Sequence, residues 1–115
     1  WKFFKKYNST KNIKKNTFFR PWGKYINLFS GEGFLLKELI VNPKSSISLQ
    51  KHHYRSERWT VISGKPKITI NSNKFFKKTG EKIFIPKGAI HRIENKFNVP
   101  VKIDIKIGPN WMDME

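Results

Sequence analysis

No cysteine occurs anywhere in the sequence, which excludes disulfides, thiolate zinc sites and cysteine nucleophiles together. Any bound metal must therefore sit on His, carboxylate or amide oxygen. Alanine, the strongest helix former, occurs once. No run approaches the roughly 18–20 apolar residues a membrane helix needs, and no short apolar core of the signal-peptide kind stands near the start. Acidic residues are scarce too, with 8 Asp+Glu against 24 Lys+Arg for a formal charge of +16. The 115 residues are expected to form one domain rather than a multidomain enzyme, and 37% hydrophobic with 15% aromatic residues suffice for one core. The expectation is a single folded domain, soluble and cytoplasmic, with no membrane partner.

What the chain does have is uneven. Lys, Ile, Asn and Phe make up 54 of its 115 residues, the types an AT-rich genome over-encodes, so part of the charge is compositional. Residues 1–24 hold eight basic and no acidic side chains, whereas residues 25–115 hold 16 and 8. Residues 1–19 read as a basic N-terminal arm or linker, with one helical turn aligning Trp1, Phe4 and Tyr7. From Arg20 the texture changes to short runs rich in Ile, Val, Phe and Thr, bounded by Pro and Gly. In Lys67-Ile68-Thr69-Ile70 and in residues 101–107, apolar and polar residues alternate as in half-buried antiparallel strands. Residues 20–115 are thus expected to form an all-β sandwich or barrel with less than about a fifth helix.

The chemistry concentrates in two stretches. Gln50 and His52 stand two apart, so on a strand they point to one face, and after a short turn Glu57 begins the next strand. About thirty residues later Gly80, Pro86 and Gly88 lead into a further strand that carries His91. Gln50, His52, Glu57 and His91 together offer two imidazoles, a carboxylate and an amide oxygen. That set suits one divalent ion such as Zn²⁺, Mn²⁺ or Fe²⁺ and leaves room for water or substrate.

Here the sequence resembles the cupin superfamily, whose fold is a double-stranded β-helix or jelly-roll barrel of antiparallel strands. The first cupin motif, G-x5-HxH-x3,4-E-x6-G, is met by Gln50-x-His52, Glu57 and Gly64, with Gln in place of the first His and Lys44 in place of the leading Gly. The second, G-x5-PxG-x2-H-x3-N, is met at every position by Gly80, Pro86, Gly88, His91 and Asn95. A closer resemblance is to the C-terminal isomerase domain of type II mannose-6-phosphate isomerases, the half that follows a guanylyltransferase domain in the bifunctional bacterial proteins. It rests on Arg20-Pro21-Trp22-Gly23-Lys24-Tyr25, on the run from Ser48 to Trp59, on Val61 with Ser63-Gly64, and on the run from Ile85 to Asn95. Two departures concern the substrate more than the metal: Tyr54 replaces the last His of the family's triplet, and Arg58 stands where His is usual. These residues carry no Gly-rich nucleotide-binding loop, so by themselves they are not expected to make a sugar nucleotide.

The resemblance implies interconversion of mannose 6-phosphate and fructose 6-phosphate, with proton transfer between adjacent carbons and a metal acting as Lewis acid. A general acid/base is required, and His53 and Glu94 are the polar candidates nearest the ligands, although strand parity turns both away from them. Only four arginines occur, and Arg20, Arg55, Arg58 and Arg92 all lie beside motif residues, where a guanidinium fork would bind the substrate phosphate. Trp22 and Trp59 read as core rather than sugar-stacking platforms, and Gly23, Gly64, Gly88 and Asn95 as turn residues. A homodimer is expected, because open sheets have edges to cover. One rival is a nucleic-acid-binding protein, favoured by a pI near 10.3 but leaving the ligand spacing unexplained. The other is a metal cupin acting on another sugar, or a non-catalytic sugar-binding module; Gln50 departs from the usual oxygenase set.

Overall fold

Strand-forming residues in short runs, each closed by a turn, leave the chain little option but to pair neighbouring runs into antiparallel sheets. In the computed structural model, which describes residues 17–31 and 33–108, ten strands and no helix occur among the described residues. They are β1 (Thr17–Arg20), β2 (Gly23–Gly31), β3 (Phe34–Val41), β4 (Gln50–Lys51), β5 (Glu57–Ser63), β6 (Lys67–Ile70), β7 (Asn73–Phe76), β8 (Lys82–Ile85), β9 (Ile90–Glu94) and β10 (Val101–Ile107). The helical turn expected near Trp1 lies outside the described residues. β1 begins at Thr17, inside the stretch read as an arm, and pairs with β2 from Thr17↔Ile26 to Arg20↔Gly23.

One sheet has six strands in the order β1-β2-β3-β10-β5-β8, the other four in the order β4-β9-β6-β7, and every pairing is antiparallel. From β3 onward the chain passes repeatedly from one sheet to the other, which is the winding of a double-stranded β-helix. The expected jelly-roll barrel is therefore the observed fold. Its core lies between the sheets. β10 alternates cleanly, with Val101, Ile103, Ile105 and Ile107 at most 2% exposed while Lys102, Asp104 and Lys106 face outward. β6 departs from the same expectation: Thr69 is buried, in register with Lys74 of β7 and Arg92 of β9.

Two positions expected to be simple turns do more. At Gly23, φ is +149° and an added Cβ would lie 2.0 Å from the Ile40 carbonyl oxygen, so only glycine lets β2 start this close to β3. Asn95 is 2% exposed and ties residues 41–42 to its own 95–99 loop. Its Nδ2 donates to the carbonyls of Val41 (3.1 Å), Asn42 (3.2 Å) and Val99 (2.8 Å), and its Oδ1 accepts from the Phe97 amide (3.1 Å).

Candidate metal centre and cavity

The ligand candidates converge because two sheets and one connection bring them to the same end of the barrel. Gln50 of β4 lies opposite His91 of β9 in the register of the small sheet. Glu57 opens β5 in the large sheet and points inward with Trp59 and Val61. His52 lies on the connection between β4 and β5, where its carbonyl accepts from the Gly88 amide at 2.8 Å and ties that connection to the Pro86–Gly88 turn. One ligand atom each from His52, Glu57 and His91 fall within 4.8 Å of one another. Two donors bound about 2.0–2.2 Å from one ion stand at most about 4 Å apart, so a slight contraction brings the three into range.

Hydrogen bonds orient the donors, and the Arg55 guanidinium sits against two of the atoms that would face an ion. The Trp59 indole donates to Glu57 Oε1 at 2.8 Å, turning Oε2 toward His52 Nε2, 3.8 Å away. His91 Nδ1–H donates to the Ala89 carbonyl at 3.4 Å, leaving Nε2 as a lone pair. Burial holds the His91 imidazole below its ordinary pKa despite the opposing Glu57 carboxylate, so it is neutral at pH 7. His52 Nε2 accepts from Arg55 Nη2 at 2.9 Å, and Arg55 Nε lies 3.4 Å from Glu57 Oε2. With Arg55 turned off His52 Nε2, the donor types fit a divalent ion: two imidazoles, a buried carboxylate and, at the cavity wall, the Gln50 amide.

The site opens into a cavity of about 260 Å³ between the sheets. Gln50, Glu57 and His91 line it, together with Arg20, Arg92, Lys37 and Tyr25. Arg92 reaches the Ile47 carbonyl through Nε at 3.2 Å, and Arg20 Nη2 donates to the Tyr25 hydroxyl at 3.3 Å. Trp22 is half-buried on the cavity wall, whereas Trp59 is only 1% exposed and packs edge-on against His91.

Other candidates lie elsewhere. Arg58 sits between two inward residues and therefore faces out of the barrel, its guanidinium 5.1 Å from the Phe84 ring centre. His53 is exposed in the β4–β5 connection beside Tyr54. Glu94 turns outward on β9 and pairs with Lys96 at 3.2 Å. Burial raises its pKa, but the Lys96 hydrogen bond and charge outweigh that and hold the carboxyl below its usual range. Neither His53 nor Glu94 lines the cavity. Lys37, which belongs to neither motif, does. The signal lay in the phase of β3: Leu35, Lys37, Leu39 and Val41 share one face, so a cation occupies an apolar position.

A two-sheet jelly-roll barrel with an inward-facing His/Glu set at one end defines a cupin. The solved cupin domain of Schizosaccharomyces pombe Cnp3 superposes with a TM-score of 0.72 at 18% identity, over 78% of this chain and 66% of that one. The chain belongs to the family described as mannose-6-phosphate isomerase C-terminal, whose profile matches residues 7–113. It is 38% identical over 94 residues to mannose-1-phosphate guanylyltransferase 2 of Escherichia coli O157:H7, covering 82% of this chain and 20% of that protein. It is also 38% identical over 85 residues to the alginate biosynthesis protein AlgA of Pseudomonas putida, covering 74% of this chain and 18% of that protein. The chain thus spans about a fifth of the length of these curated relatives.

Proposed function

We propose that this domain is a metal-dependent aldose–ketose isomerase acting on a hexose phosphate, with mannose 6-phosphate and fructose 6-phosphate as the pair the family indicates. The observation that carries the reading is one cavity lined both by three of the four candidate ligands, Gln50, Glu57 and His91, and by two arginines, Arg20 and Arg92. When bound by Gln50, His52, Glu57 and His91, a divalent ion supplies positive charge for the sugar's carbonyl and hydroxyl oxygens. Arg92, anchored on the Ile47 carbonyl, and Arg20, braced on the Tyr25 hydroxyl, offer guanidinium donors to the phosphate. Arg55 adds a third cation beside the ligand set and partly balances Glu57. The Trp59 indole holds the Glu57 carboxylate in one orientation, so less order has to be created on binding. The cavity has room for one small polar molecule rather than a polymer, which favours a sugar phosphate over nucleic acid.

The test is metal analysis followed by a coupled assay with a panel of hexose phosphates. The metal-loaded chain should convert mannose 6-phosphate. His52→Ala and His91→Ala should each lose most of the metal, Glu57→Ala should abolish turnover, and Arg92→Ala should raise KM more than it lowers kcat. Metal-loaded protein that binds sugar phosphates without converting any would make this a non-catalytic sugar-binding cupin. Full metal occupancy in both histidine variants would show the centre to be elsewhere.

A further inference from the structure

Isomerisation of an aldose phosphate needs a group that takes the proton from C2 and returns it to C1, and the cavity limits the choice. Its titratable lining groups are Arg20, Tyr25, Lys37, Glu57, His91 and Arg92. Arginine does not release its proton at ordinary pH, and Glu57 and His91 are committed to the ion. The Tyr25 hydroxyl accepts from Arg20, and its ring lies beside both cations, 5.2 Å from Arg20 Cζ and 5.1 Å from Lys37 Nζ. Lys37 remains. It stands at mid-strand on β3, between Asn27 of β2 and Ile105 of β10, with its side chain toward the cavity.

We infer, on the isomerase reading above, that Lys37 is a catalytic residue whose amine carries the proton between C2 and C1 of the sugar phosphate. The Nζ lone pair takes the C2 proton, and the electron pair of the C–H bond becomes the C1=C2 double bond while the carbonyl oxygen takes up the charge. The O2 proton passes to O1, the Lys37 ammonium returns its proton to C1, and C2 becomes the ketone. No oxidant or other co-reactant is consumed.

The surroundings agree with this role. Burial pushes the Lys37 ammonium below its ordinary pKa; the Glu57 carboxylate opposes that shift and Arg55 adds to it. The charged and titratable groups around it are Tyr25 of β2, Arg20 of β1, Glu57 of β5, His91 of β9, and Arg55 of the β4–β5 connection. A shift in this direction makes the ammonium a readier proton donor to carbon than an exposed lysine.

The experiment uses the metal-loaded chain with mannose 6-phosphate in D₂O, comparing wild type with Lys37→Met, Lys37→Arg and Lys37→Ala. All three variants should lose about 10²–10⁴-fold in kcat and stop placing solvent deuterium at the reacting carbons. Metal content and affinity for mannose 6-phosphate should remain within about threefold of wild type, and added methylamine should restore part of the Lys37→Ala activity. Lys37→Arg keeps the charge and so guards against a variant that simply fails to fold. If wild type turns over and any well-folded variant stays within about fivefold of it, or if the variants lose their metal, Lys37 is not the proton carrier and the isomerase reading stands. If wild type converts no hexose phosphate, the isomerase reading falls and takes this inference with it.

Discussion

Asn95 shows how much one side chain can hold. Its Nδ2 shares two hydrogens among the carbonyls of Val41, Asn42 and Val99, and its Oδ1 accepts from the Phe97 amide, all from a buried position. Removing a donor from buried carbonyls costs more than the bonds themselves are worth, because water does not replace it there. Asn95→Ala should therefore lower unfolding stability by about 2–3 kcal/mol, read from the urea midpoint at unchanged slope. A loss below about 0.5 kcal/mol would mean that water fills the clasp. The motif marks this Asn through its spacing from His91, yet spacing says nothing of the Val41 and Asn42 carbonyls, which lie more than fifty residues away in the chain.

At the scale of elements, the informative pair is β3 with β10. Glu38 and Asp104 face each other across that ladder on the outer side of the large sheet, where two carboxylates repel. Burial, followed by the hydrogen bond and charge of Asp104, pushes the Glu38 pKa up to about 7. The folded state then binds more protons than the unfolded one between about pH 4.5 and 7, so this pair makes stability fall as pH rises through that window. His91 acts in the opposite direction. Its depressed pKa costs stability as pH falls below its unfolded value near 6.5. The difference between wild type and Glu38→Gln isolates the first effect: the variant should melt higher than wild type at pH 8, with the gap closing toward pH 4.5. An equal gap at both pH values would remove the carboxyl pair as the cause.

For the whole molecule, charge and apolar surface pull against each other. Ile62 and Phe84 are 40% and 51% exposed on the outer face of the large sheet, beside half-buried Leu36, and Phe19 on the β1 edge is 73% exposed. Such a face and edge favour a second copy of the chain, while a formal charge of +16 opposes its approach. A homodimer whose population rises with salt is the expected outcome of light scattering at micromolar concentration. Monomer alone from low to high salt would overturn it. No helix among the described residues is long and apolar enough to cross a membrane.

What the sequence by itself determined was whatever depends on neighbours a few positions away. Alternation along residues 101–107 marks a strand with one buried face, Pro and Gly mark the turns, and the spacing of Gln50, His52, Glu57 and His91 marks a ligand set. Only the tertiary structure decided which way each charged residue faces relative to the barrel interior. Arg58 turns out over Phe84, Arg55 turns in to His52 and Glu57, and Lys37 enters the cavity from a strand that carries no motif. The physical reason is that inside and outside are set by pairing between strands far apart in the chain, as when β3 meets β10, and local spacing contains no record of that partner.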